Sequence, residues 1–311
     1  MALDPAAVGL LQQIAEAGGP ALNELSPAES RQAAQGFAEL GGPGDDVADQ
    51  SDRTIPGPGG DIPIRIYTPK GDGPFPCLVY FHGGGWVIGD LEMVNAACRT
   101  LAARTNCVVV SVDYRLSPEH KYPAPFDDCF AATAWVADHG DQIGVDGTRV
   151  AVGGDSAGGN LAAAVSLRAR DEGGPALVMQ LLVYPVTDHS YDTGSYASNG
   201  ENYLLTTDMM KWFWDHYLNS DADGEQAYVS PLRADDLSNL PPATVFTAEF
   251  DPLRDEGEAY ASKLADVGIE VRQTRFDGQI HGFFSMLLVF EAAGKAIDLA
   301  ATDLKKAFGI A

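Results

Sequence analysis

The feature that most restricts this chain is a series of short apolar runs separated by helical patterns. Cys77–Phe81, Val108–Val112, Val150–Val152, Leu181–Tyr184 and Val245–Ala248 are nearly continuous in apolar residues, and a further strand is expected near Val271–Phe276. A strand with no polar face must be covered on both sides, as in a parallel sheet. Between most of the runs lie helix-period segments, Leu91–Arg104, Phe126–Asp138, Ala157–Arg170 and Asp255–Val267, with a last helix from about Glu291 to Phe308. Strands joined through such helices form a mostly parallel α/β sheet with right-handed crossovers. Ahead of them Ile62, Ile64 and Ile66 alternate with polar neighbours, the pattern of a half-buried and antiparallel strand.

Two stretches lie outside this rhythm. Residues 1 to about 45 read as two helices. The first spans Pro5 to Ala17, and the second opens on a capping box at Ser26-Pro27-Ala28-Glu29 and ends at Gly41-Gly42-Pro43-Gly44. Between Tyr184 and Thr244 the alternation lapses for about sixty residues, and an interruption that long usually carries function. It contains Thr207–Leu218, with Met209, Met210, Trp212, Phe213, Trp214 and Tyr217. Several of these must be ordinary core. The reading we favour is a lid whose apolar underside lines part of a pocket.

Composition enters mainly as exclusion. With 20 Lys and Arg against 44 Asp and Glu, the 311 residues carry a net charge of −24. Such a surface repels phosphate backbones and anionic lipid, which argues against nucleic acid and membrane partners. The first basic residue is Arg31, so no signal peptide is expected. Cys77, Cys98, Cys107 and Cys129 show no metal spacing and read as buried thiols in a reducing compartment, and a cytoplasmic location is expected. No P-loop, H-E-x-x-H or paired Cys/His pattern occurs, so neither a metal nor a cofactor is expected.

The chemistry is concentrated at Gly154-Asp155-Ser156-Ala157-Gly158, a G-x-S-x-G pentapeptide between a strand run and a helical segment. By itself it could equally be a glycine-rich turn with Ser156 as helix N-cap. A serine nucleophile needs a base that is oriented by an acid, and with this elbow the acid and then the histidine follow the serine along the chain. Of six histidines, only His281 lies beyond the candidate acids after Val245–Ala248. Among Glu249, Asp251, Asp255 and Asp277, we favour Asp251, in the loop just past the strand, with Asp255 second. The strand Cys77–Phe81 runs into His82-Gly83-Gly84-Gly85-Trp86, whose accessible backbone amides suit a developing oxyanion, joined by the amide of Ala157. A dinucleotide-binding reading of Gly83, Gly85 and Gly89 fails on spacing.

Together, His82-Gly83-Gly84-Gly85-Trp86, Asp113-Tyr114-Arg115-Leu116-Ser117-Pro118-Glu119-His120, Gly154–Asn160, Asp251–Gly257 and His281-Gly282-Phe283 resemble the bacterial hormone-sensitive-lipase family of esterases. The resemblance covers nearly the whole chain. It implies an α/β-hydrolase fold with an eight-stranded, mostly parallel sheet, made of residues 46–186 and 241–311. It also implies a helical cap from residues 1–45 and 187–240. The implied site is a triad of Ser156, Asp251 and His281 with an oxyanion hole made by Gly84 and Gly85, Gly83 adjacent, and by Ala157; our own reading adds a substrate pocket touched by Trp86, Met210, Phe213 and Trp214. The implied activity is serine carboxylesterase action on small-molecule esters of short to medium acyl chains, and a homodimer is a common assembly. A receptor on the same fold that has lost its base, and an amidase, are the competing functions. The presence of all three triad residues argues against the receptor.

Overall fold

The computed structural model describes residues 2–310. The first and last positions of the expected ranges, Met1 and Ala311, lie outside the described residues. Three short helices lead the chain, α1 (Pro5–Ala17), α2 (Pro27–Ala34) and α3 (Gly36–Gly41). The strands are β1 (Asp49–Gly57), β2 (Gly60–Thr68), β3 (Phe75–Phe81), β4 (Val108–Val112), β5 (Val145–Asp155), β6 (Leu177–Val183), β7 (Ala243–Phe250) and β8 (Val271–Ile280). The later helices are α4 (Asn95–Thr105), α5 (Ala124–His139), α6 (Ala157–Glu172), α7 (Gly194–Asn199), α8 (Thr207–Tyr217), α9 (Arg254–Asp266) and α10 (Glu291–Phe308).

All eight strands form one sheet in the order β1-β2-β4-β3-β5-β6-β7-β8. The two pairings of β2 are antiparallel and the rest are parallel. Alternate residues of the central strands feed two cores. Val79, Val110, Val152 and Val245 pack with α5, α6 and α9 on one face. Leu78, Val109, Ala151 and Phe246 pack with α4 and α10 on the other. This two-sided burial is the physical reason the runs were uniformly apolar.

The departures from the sequence reading have local causes. The first strand, β1, is exposed along most of its length, so it carries no apolar signal. Strand β2 is half-buried only at its start: Arg65 and Tyr67 are also buried, Arg65 pairing with Asp52 and Glu92. The expected second helix is broken at Gln35 into α2 and α3. Helix α4 starts at Asn95 rather than Leu91, because the Asp90 carboxylate accepts the amides of Glu92 and Met93 and holds a turn there.

Topology places the site. The chain leaves β3 for β4 on one side and returns to β5 on the other, so the loops after β3 and β5 flank the point where strand order reverses. Register then sets the neighbours: Phe81 pairs with Gly154, and Phe250 pairs with Ile280. The glycine loop therefore starts beside the Ser156 turn, and Asp251 starts beside His281. The segment between β6 and β7 carries α7 and α8. Helix α8 packs on the turn Leu22–Glu24 of the N-terminal segment.

Arg31 on α2 joins the leading helices to the body. Its guanidinium donates to the carbonyls of Val87 and Ser117, both at 2.8 Å, and to both oxygens of Glu119 at 2.9 and 2.6 Å. The bond to Arg31 holds the Glu119 carboxyl down to about 2, from an ordinary 4.5. A lowered carboxyl contributes stability above its unfolded value and loses it as pH falls toward the folded value. Glu119 is half exposed, so the contribution is below about 1 kcal/mol. Glu119→Gln should lower the thermal midpoint by about 1–3 °C at neutral pH, a difference that is constant above pH 4.5 and shrinks as pH approaches 2. A midpoint difference independent of pH would contradict this role.

Candidate active site

Strand β5 ends at Asp155 and the chain turns at once into α6. Ser156 takes φ 58° and ψ −120°, the left-handed side of the map, a conformation costing roughly 1–3 kcal/mol for a residue with a Cβ. Hydrogen bonds on both sides hold it there. The Ser156 amide donates to Val183 O at 2.8 Å, and its carbonyl accepts from Asn160 at 3.0 Å and Val186 at 3.3 Å. The turn is this tight only because two glycines permit it. A Cβ on Gly158 would stand 1.9 Å from Phe81 O, and one on Gly154 would stand 2.4 Å from the Gly158 backbone. The Ser156 side chain does not cap α6. Its hydroxyl lies 2.9 Å from Nε2 of His281.

His281 is 9% exposed and its Nδ1 lies 2.7 Å from Oδ2 of Asp251, which is fully buried. A carboxylate at Nδ1 holds the proton on that nitrogen and leaves Nε2 as an acceptor for the serine hydroxyl. The other Asp251 oxygen accepts the Leu253 amide at 2.9 Å. The Tyr184 ring, itself at φ 33°, packs 4.5 Å from the imidazole. Asp255, the second candidate, is directed elsewhere: its carboxylate accepts the Ser195 amide at 2.7 Å and pairs with Arg254.

The glycine loop requires one correction. Gly83 was placed with the oxyanion hole, adjacent to Gly84 and Gly85, but its amide is not free for an oxyanion: it donates to Oδ1 of Asp155 at 3.1 Å. It is spent on holding the loop against the elbow. Among the described residues, the amides of Gly84, Gly85 and Ala157 donate to no protein acceptor. Gly84 and Gly85 sit at φ 113° and 57°. Asp155 is the residue that sequence reasoning passed over. Its Oδ1 also accepts the Tyr80 hydroxyl at 3.0 Å, so strand β3, the glycine loop and the nucleophile turn meet on one buried carboxyl. Burial pushes that carboxyl up, while its bonds to Tyr80 and Gly83 oppose the shift. An acid sandwiched between apolar β5 residues and the serine was the available signal.

The four pocket candidates are all buried. Trp86 and Trp214 are buried at 0% and 1% exposure, their rings 4.5 Å apart, and Trp86 stacks on Tyr217 at 4.2 Å. Met210 is 1% exposed. Phe213 is buried as well, at 4% exposure. Its ring packs on the glycine loop, 2.2 Å from where a Cβ on Gly85 would stand. Leu204, which the sequence did not mark, approaches the opposite side, 3.3 Å from a Cβ built on Gly282. An aliphatic residue in a polar loop carries no sequence signal. Among the described residues no group of three or more His, Cys, Asp or Glu side chains is placed to share a metal ion, and no helix is long and apolar enough to cross a membrane.

A fold of this topology, with a serine on a strained strand-to-helix turn and His and Asp supplied by later loops, defines a hydrolase class, and comparison with known proteins agrees. Residues 78–285 match the family model described as the α/β-hydrolase fold. The carboxylic ester hydrolase LipN of Mycobacterium tuberculosis is 47% identical over 76% of this chain and 65% of its own length. The esterase LipI of the same organism is 43% identical over 82% of this chain and 81% of its own. An α/β-hydrolase enzyme from the metagenome of Lake Arreo, Spain, superposes with a TM-score of 0.95 at 42% identity, covering 99% of both chains. The chain belongs to the α/β-hydrolase family, among its hormone-sensitive-lipase-type carboxylic ester hydrolases.

The Asp155 contacts yield a prediction. Asp155→Ala strands a buried amide and a buried hydroxyl, each costing about 1–3 kcal/mol, and frees the glycine loop. We expect kcat on a p-nitrophenyl ester to fall by about 10- to 100-fold with little change in KM, the signature of a lost transition-state interaction. Asp155→Asn, which keeps an acceptor oxygen, should retain most of the rate. Wild-type kcat in the Ala variant would sink the assignment.

Proposed function

We propose that this chain is a serine carboxylesterase that cleaves small-molecule esters of short to medium acyl chains through an acyl-enzyme. The observation that carries the reading is the unbroken path Asp251–His281–Ser156, two hydrogen bonds of 2.7 and 2.9 Å ending on a strained turn. Ser156 Oγ attacks the ester carbonyl while His281 Nε2 takes its proton. Asp251 holds the imidazole tautomer and stabilises the charged ring that forms. The negative charge that develops on the carbonyl oxygen is met by the uncommitted amides of Gly84, Gly85 and Ala157. His281 then gives its proton to the leaving alcohol. In the second half it draws a proton from water, which attacks the acyl-serine and returns Ser156 free with release of the acid.

Two side chains support the limit on acyl length. Phe213 sits against the glycine loop and Leu204 against the His281 loop, so the insertion reaches both loops that supply the site. With α2 bonded to the loop that follows the glycines, residues 1–45 and 187–240 act together as the cap.

Ser156→Ala should leave the fold intact and reduce kcat on p-nitrophenyl butyrate by on the order of 10⁶, as removal of a triad serine does. A p-nitrophenyl ester series should show activity falling sharply beyond medium chains, and Phe213→Ala should move that fall to longer chains. Near-wild-type turnover in the Ser156 variant would end the esterase reading, and sustained activity on long emulsified chains would end the acyl-length reading.

A further inference from the structure

Between the catalytic-acid loop and the start of the insertion lies a carboxyl that the ester-cleaving steps do not use. Glu256, in the first turn of α9, is 1% exposed. Its Oε1 accepts the amides of Thr187 at 2.7 Å and Asp188 at 3.3 Å, and its main-chain carbonyl accepts the Thr187 hydroxyl at 2.8 Å. Thr187 and Asp188 begin the insertion. The residue before them, Val186, donates to the Ser156 carbonyl and accepts from the Asn160 side chain at 3.0 Å. Thr187 O in turn accepts the Leu232 amide at 2.9 Å, from the returning end of the same insertion. The Glu256 side chain thus ties the start of the insertion to the helix that begins just past Asp251, and the Thr187 carbonyl joins that start to the returning end.

The second oxygen is the informative one. Oε2 of Glu256 is buried with no hydrogen-bond partner among the described residues, and so is the Tyr196 hydroxyl. The titratable groups that share its field are Asp188, Tyr191 and Tyr196 from the insertion and Asp251 from the loop after β7. None is a cation, and Arg233 is engaged with Asp188 and Glu225. An ionised carboxylate here would have one oxygen sealed away from any donor and two acids for neighbours, an expensive arrangement. A carboxylic acid avoids the cost: Oε1 keeps both amides and Oε2 carries the proton. Burial, the largest influence on this group, pushes it well above the usual glutamate range.

We propose that Glu256 is a positioning residue for ester cleavage, a neutral carboxyl that fixes the root of the cap insertion to the catalytic-acid loop while adding no charge beside Asp251 and His281. This rests on the serine-esterase reading above. Gln is the discriminating replacement, since it keeps the acceptor and is also neutral. Glu256→Gln should retain kcat and KM within about twofold and leave the acid limb of the kcat/KM–pH profile where it is, whereas Glu256→Ala should lose about tenfold in kcat. An ionised Glu256 would instead be supporting the His281 imidazolium. Its removal would then move the acid limb to lower pH by more than about half a unit, and that shift overturns the proposal. So would wild-type kcat in the Ala variant, or a Gln variant that fails to fold. The infrared difference between wild type and Glu256→Gln at neutral pH should show the carbonyl stretch of a protonated carboxyl. Carboxylate bands would overturn the proposal even if no ester were turned over. Absence of hydrolysis by the wild type would instead count against the esterase reading.

Discussion

The site depends on the close contact between β3, β5 and the start of α6. Phe81 pairs with Gly154, and Gly158 approaches Phe81 O so closely that a single methyl group would not fit. That contact forces the chain to reverse within one residue. The residue that makes the reversal is Ser156, at positive φ with its hydroxyl on His281. The strain is sustained by the parallel pairing on either side, which is buried on both faces and therefore among the most rigid parts of the molecule. The same pairing sets the glycine loop beside the serine, and the Asp155 carboxyl locks the two together through the Gly83 amide. Donors held this way need no reorganisation when charge develops, which is where most catalytic power of this kind originates.

Electrostatics follow from how charge is distributed around that turn. Three acids of the elements that carry the site are buried: Asp251, Asp155 and Glu256. Only Asp251 is bonded to the imidazole. Asp155 and Glu256 are bonded to backbone amides and hydroxyls, and burial pushes both carboxyls up.

Much of this was legible in the sequence, for physical reasons that can be named. Two-sided burial wrote the central strands as unbroken apolar runs, and chain order after the elbow left His281 as the one histidine beyond the acids. Asp251 was favoured over Asp255 by its place at the strand end, and the two prove to face different ways. What escaped was whatever depends on where a polar group points. Nothing in His82-Gly83-Gly84-Gly85 says that one amide of three is already committed, and nothing in Asp155 or Glu256 separates a buried acid from a solvated one. For the aromatics of α8 the sequence shows amphipathicity but not its partner. For Trp86 and Trp214 the partner is each other and Tyr217. The strand β1 was hidden by its exposure, and Leu204 by its ordinary surroundings.

The central claim is that geometry makes Ser156 a nucleophile, and it can be tested without knowing the natural ester. The chain would be treated with one equivalent of an activated p-nitrophenyl alkylphosphonate, release of p-nitrophenol followed, and the adduct located by peptide mass spectrometry. The account predicts a single stoichiometric burst, one phosphonyl group on Ser156, and labelling slowed by orders of magnitude in His281→Ala. A wild-type protein that takes up no label, or that carries it on another residue, would contradict it.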